Sequence, residues 1–135
     1  MIVLDEHLQT KGLEPAIRQW YAGSVVNILD LRPSTIIKDD AIPGLLAAQA
    51  RPVFVTINIA DFWLSLPTSD KYCILCFALA TSEIAQIPEL LRRLLRHTMF
   101  DTRAKRAGKM ARITSKNGAA FYSNEDSTIR TVDGF

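Results

Sequence analysis

Four short apolar runs, rich in β-branched residues, are separated along this chain by stretches whose apolar residues recur at helical spacing. Few folds accommodate that alternation. Ile2-Val3-Leu4 opens the chain as a first strand, and Leu8, Leu13, Ile17 and Trp20 or Tyr21 then fall on one face of a helix. Val25, Val26, Ile28, Leu29 and Leu31 read as strand two, and Ile42, Leu45, Leu46, Ala47 and Ala48 as the next helix. Strand three is Val53 to Ile57, ending at Asn58, and strand four is Tyr72 to Leu79. Strands joined through helices run parallel and need cover on both faces. The expectation is a three-layer α/β/α sandwich with a mostly parallel sheet. The β-branched run at the start predicts a central rather than an edge strand.

Local signals refine this order. Pro15 and Pro88 suit first helical turns, where a missing N–H is harmless, whereas Pro43 and Gly44 sit awkwardly in the second helix unless Pro43 lies in its first turn. Lys38-Asp39-Asp40 precedes an amphipathic run, as acids do at a helix N-terminus. Asp61, Phe62 and Trp63 read as a loop after strand three, and Leu90, Leu91, Leu94 and Leu95 as the inner face of a helix. Asp101 is placed to cap a short basic helix that stops at Gly108. The tail offers strands at Met110 to Thr114, Ala119 to Tyr122 and Thr128 to Val132, with Asn117-Gly118 as a hairpin turn. A length of 135 residues, with no repeat or linker, fits one domain over 1–135.

A net charge of +2 is too small to argue for nucleic acid, but its distribution is uneven. Residues 1–91 carry 6 basic and 10 acidic side chains, whereas 92–116 carry 9 basic ones and only Asp101. Cys73 and Cys76, three apart on one strand, point to opposite faces. They therefore read as two core thiols in a reducing compartment, neither a redox pair nor a metal clamp. Asp5 and Glu6 interrupt the first apolar run, so no signal peptide is expected, and the longest uncharged apolar stretch is too short to span a membrane. The chain reads as cytoplasmic.

In a parallel sheet, chemistry gathers beyond the C-terminal ends of the strands. That edge receives Asp5 and Glu6 after strand one, Asp39 and Asp40 after strand two, and Asn58 and Asp61 after strand three. Carboxylates crowded without matching cations repel one another, and a hard divalent cation, Mg²⁺ or Mn²⁺, relieves the repulsion. Each acid also has a structural role open to it: Asp39 or Asp40 as helix cap, Asp61 as an Asx cap, Glu6 as a solvated charge. The sequence leaves open which of Asp39 and Asp40 is the ligand. Thr56 is placed to bind a phosphate or fix a carboxylate, and Asn58 to offer a neutral oxygen or to cap the following turn. His7 and His97 have no ligand partner at a recognisable spacing, and no dinucleotide, P-loop, zincin or nucleophile-elbow motif occurs.

The segments IVLDEHL, KDDAIPGLL and VFVTINIADFW together resemble the small PIN-like domain family of bacteria and archaea, relatives of the PIN-domain toxin ribonucleases. The resemblance covers roughly residues 1–80. It implies acids that bind Mg²⁺ or Mn²⁺ and hydrolyse RNA, or sometimes DNA. The family's strand-one acid falls on Asp5, and the acid opening the next helix on Asp39, with Asp40 beside it. The strand-three threonine falls on Thr56, and the acid before phenylalanine on Asp61. Where the family has a further acid, this chain has Asn58.

The resulting expectation is a metal-dependent endoribonuclease, with Asp5, Asp39 and Asp61 as catalytic acids and Asp5, Asp39, Asp40, Asn58 and Asp61 as metal ligands. Hydrolysis would leave a 3′-hydroxyl and a 5′-phosphate. Thr56 and the basic residues Arg92, Arg93, Arg96, Arg103 and Arg106 are the expected substrate contacts. An antitoxin partner, and a homodimer anchored by Trp63 or Tyr21, belong to the same reading. The alternative is a non-catalytic PIN-like module that binds nucleic acid or protein.

Overall fold

The computed structural model describes residues 1–9, 12–33, 37–116 and 118–135. Among these residues, seven strands form one sheet: β1 (Ile2–Leu4), β2 (Val25–Asn27), β3 (Val53–Thr56), β4 (Cys73–Phe77), β5 (Lys109–Ile113), β6 (Ala119–Ser123) and β7 (Arg130–Thr131). Their order is β2-β1-β3-β4-β5-β6-β7. The first five run parallel, β6 pairs antiparallel with β5, and β7 pairs antiparallel with β6. β1 is flanked on both sides, as its composition predicts.

Side-chain alternation divides the apolar residues between two cores. On one face Leu4, Val55 and Leu75 meet α1 (Leu13–Arg18) and α5 (Ile87–Arg96), through Ile17, Leu91 and Leu94. On the other, Val3, Phe54 and Ile74 meet α2 (Ile28–Leu31), α3 (Ile42–Ala47) and α4 (Ile59–Phe62), through Ile28, Leu46 and Phe62. The α/β fold with helices on both faces of a mostly parallel sheet follows directly. Cys73 lies in the first core and Cys76 in the second, and both are free.

Four local readings need correction. Strand two is shorter than its apolar run, because Asn27 starts a helix. The Asn27 Oδ1 accepts from the Leu29 N–H at 3.0 Å, and the Asp30 carboxylate accepts from the Asn27 N–H at 3.0 Å. The first helix is not continuous from Leu8: a 3₁₀ turn over Glu6–Leu8 and α1 are separate elements, with Gly12 at φ +71° before α1. The segment after β3 is a helical turn, α4, not a loop. The basic turn α6 (Arg103–Arg106) is capped by Thr102, whose hydroxyl accepts from the Lys105 N–H at 3.2 Å, while Asp101 pairs with Lys105 at 3.0 Å. Asn117 lies outside the described residues; Gly118 beside it has φ +78°, and β5 and β6 do pair antiparallel. Gly108 is required where α6 turns into β5. Its φ is +87°, and an added Cβ would stand 2.1 Å from the Asn124 amide oxygen.

Candidate active site

The chain runs from β1 outward to β2, then returns across β1 to β3, so the order reverses between β1 and β3. A crevice opens at such a switch point, outside the carboxyl ends of the two strands. Asp5 follows β1 directly, and Thr56 is the last residue of β3. The Thr56 hydroxyl donates to Asp5 Oδ2 at 2.7 Å, bridging the reversal. The Glu6 N–H donates to the other Asp5 oxygen at 2.8 Å. The backbone around Asp5 is equally fixed, since its carbonyl accepts from the Leu8 N–H at 2.9 Å and the buried Asn27 side chain at 3.1 Å. Sequence reasoning missed Asn27, because a polar residue inside an apolar run only signals a strand end once its partners are known.

A second set of bonds extends the group. The Asn58 N–H donates to the Thr56 hydroxyl at 3.0 Å. The Asn58 side chain accepts from the Asp61 N–H at 3.1 Å and donates to the Asp61 carboxylate at 2.6 Å. Asn58 thus caps α4 and holds Asp61 in place. Of the two tasks open to it in the sequence, the geometry supplies positioning: one lone pair of its amide oxygen is already used.

Asp5 is 4% exposed, and burial pushes its carboxyl above the ordinary range, against the opposing bonds from Thr56 and the Glu6 N–H. The Asp39 carboxyl is also raised. Partial burial contributes most, followed by a hydrogen bond with Asp61 and by repulsion from Asp61, Asp5 and Glu6. Asp39 is therefore within interaction range of Asp61, with Asp5 acting on it more weakly. Asp40, in the same 3₁₀ turn, is exposed and makes no hydrogen bond or ion pair with a described residue. Between the two acids, the fold brings Asp39 into the group. Among the described residues, no three Asp, Glu, His or Cys side chains stand close enough to enclose an ion. A hollow of about 310 Å³ beside the Asp5 loop is lined by Leu4, Leu8, Gln9, Glu14, Asn27 and Asp30, and not by Asp5, Asp39 or Asp61.

The basic segment is placed differently from expectation. β5 runs parallel to β4, so α6, which leads into it, lies at the N-terminal edge of the sheet. Arg103 and Arg106 there lower the pKa of the Met1 amino group, after burial as the main cause. They stand about one strand length, roughly 13 Å, from the edge that carries Asp5. Arg106 also donates to the Phe100 carbonyl at 3.0 Å. Arg92 pairs loosely with Glu89 at 3.7 Å, and Arg93 lies 4.7 Å over the Phe135 ring. Arg96, at the last turn of α5, is exposed and makes no ion pair with a described residue. A single basic patch bordering the acids does not form, because the helices return the chain to the far edge of the sheet. Trp63 and Tyr21 are half-buried: Trp63 packs edge-on against Tyr122 at 5.0 Å, and the Tyr21 hydroxyl accepts from the Met1 ammonium at 3.0 Å.

No protein-family model, characterised protein or solved structure matches this chain. Among the described residues, no helix is long and apolar enough to cross a membrane.

Proposed function

We propose that the chain is a PIN-like, divalent-metal-dependent nuclease acting on RNA. The observation that carries this reading is the hydrogen-bonded group Asp5–Thr56–Asn58–Asp61 at the β1/β3 switch point, with Asp39 within interaction range of Asp61. Its donor set fits Mg²⁺ or Mn²⁺. Such hard cations take one or two carboxylates and keep several waters, so a pair of acids with a third nearby suffices without a closed cage. Asp39 and Asp61 would hold the ion, with Asp5 behind them.

When bound, the ion supplies an acidified water and charge neutralisation at the phosphate. The chain's own residues do the rest. Thr56 fixes the rotamer of Asp5, and Asn58 fixes Asp61, so neither carboxylate has to reorganise when substrate arrives. Burial keeps Asp5 in a poorly solvated position where its charge acts strongly on whatever cation or proton it faces. The antitoxin partner rests on the resemblance alone.

Asn58, standing where the family has an acid, favours a second reading: a PIN-like module that binds nucleic acid or protein without cutting it. One experiment separates the two. Single-stranded and structured RNA would be incubated with wild type and Asp5→Asn, in Mn²⁺ and in chelator. The nuclease reading expects Mn²⁺-dependent cleavage, 5′-phosphate and 3′-hydroxyl ends, and a loss of at least a hundredfold in the folded variant. Equal traces from both proteins, or metal-independent 2′,3′-cyclic ends, would leave the binding module standing.

A further inference from the structure

Strand register places one row of residues across the sheet on the α2–α4 side. Leu4 is level with Val55, which sets Asp5 beside Thr56; Thr56 is level with Cys76, Cys76 with Arg112, Arg112 with Ala120, and Ala120 with Thr131. Asp5, Thr56 and Cys76 are buried. At β5 the row emerges, although Met110 and Tyr122 on the same face stay buried: Arg112 and Thr131 are exposed and Ala120 is half-exposed between them. A shallow hollow of about 130 Å³ opens there, lined by Arg112, Thr114, Gly118, Ala120 and Thr131.

Arg112 differs from most of the basic residues preceding it. Lys105 is ion-paired, while Arg106 and Lys109 donate to backbone carbonyls. The cross-strand neighbour of Arg112 is Ala120, not an acid, and Arg112 makes no ion pair with a described residue. At about 4.8 Å per strand, its Cα lies about 10 Å from that of Thr56 and about 14 Å from that of Asp5. That is too far for the phosphate being cut and near enough for a neighbouring one.

An apolar ledge is built on Tyr122, which is level with Met110 and so lies two residues from Ala120 of the row, toward the amino edge. Leu64 is 63% exposed and sits at φ +62°, a conformation leucine rarely adopts. It is held there by its N–H, which donates to the Tyr122 hydroxyl at 3.0 Å. Trp63 packs on the same Tyr122 ring. A guanidinium for the backbone and an apolar surface for bases are the two parts of a single-strand binding surface.

We infer that single-stranded RNA leaving the acidic group crosses the exposed end of this row, with Arg112 gripping a phosphate flanking the cut and Leu64 and Trp63 supporting a base. This rests on the nuclease reading for the identity of the acidic group, but binding can be tested apart from cleavage. The probe is a short fluorescein-labelled oligouridylate, titrated in chelator at several salt concentrations, with thermal melts to show that each variant folds. Arg112→Gln is expected to weaken binding about tenfold and to flatten the log–log salt dependence by about 0.7. Leu64→Gly, which relieves the positive φ, is expected to weaken binding while leaving the melting temperature level or higher. The double variant Arg103→Gln/Arg106→Gln, at the opposite edge, is expected to bind as wild type.

Wild-type affinity and salt slope in Arg112→Gln would overturn the inference, as would binding that depends on Arg103 and Arg106 instead. So would self-association that Arg112→Gln abolishes without any oligonucleotide binding, which would make the surface a contact between chains. Cleavage is scored separately with Mn²⁺. Binding that depends on Arg112 with no cleavage by wild type retains the surface and removes the nuclease reading. Cleavage with no role for Arg112 does the reverse.

Discussion

Asp5 shows at a single residue how a candidate site works against the stability of its fold. A carboxylate at 4% exposure binds its proton more tightly folded than unfolded, because burial disfavours the charge. Its ionised form therefore subtracts from stability at neutral pH, and the deficit closes as pH falls through the raised pKa toward the ordinary carboxylate range. Asp5→Asn is expected to raise the melting temperature at pH 7 by a few degrees, on the order of 1 kcal/mol. In a melt series the gain should shrink on acidification. A lower melting temperature at pH 7 would mean that the bonds from Thr56 and the Glu6 N–H outweigh burial. The two thiols give a second test at this scale. Burial pushes Cys73 and Cys76 up to about 12, so both should resist a thiolate-specific reagent in the native protein and react on denaturation. Asp5 was legible in the sequence, because a charge ending a β-branched run calls for a reason. That Asn27 secures its backbone was not, since the two residues are 22 apart and meet only through β1–β2 pairing.

One-turn helices set the geometry of the acidic group. α2 and α4 each span four residues, too few to show a helical period, so an apolar run and a loop are natural readings of their sequences. Their caps could be anticipated only in part, because Asn27 and Asn58 suit a turn as well as a helix start. Asn58 also supplies the most informative substitution. Asn58→Asp keeps a good N-cap residue and replaces the bond to the Asp61 carboxylate, now 2.6 Å, with repulsion. Without divalent cation the variant is expected to melt several degrees below wild type, by roughly 1–2 kcal/mol. Adding Mn²⁺ should raise its melting temperature by more than it raises that of wild type, with cleavage rising in parallel. Equal Mn²⁺ shifts in both proteins would separate Asn58 from any cation site.

The whole molecule is a sheet between two cores, and its two ends carry different charge. β1, β3 and β4 contribute side chains to both faces, so either core depends on the other through the strands they share. Phe54, fully buried and 5.5 Å from Phe62 between ring centres, joins β3 to α4 beneath the acidic group. Phe54→Ala is expected to cost about 3–5 kcal/mol in chemical denaturation. If unfolding is a single transition, probes on both faces should shift together. At the sheet's carboxyl edge stand Asp5, Asp39 and Asp61, and at its amino edge Arg103 and Arg106 with the Met1 amino group. That polarity follows from connectivity: each helix after a parallel strand carries the chain back, so residues ending α5 and preceding β5 arrive at the end remote from the acids.

Composition and periodicity by themselves determined the strand–helix alternation, the central place of β1, the opposed cysteines and the edge at which acids collect. All of these depend on neighbours close in sequence or on the alternation of side chains along a strand. Only the tertiary structure decided that Asp39 rather than Asp40 comes within range of Asp61, that Asn58 and Asn27 act through caps, and that the arginines of α6 lie at the edge remote from the acids while Arg112 shares the row of Asp5. Those outcomes depend on strand order and register, which are set by how two cores close over one sheet.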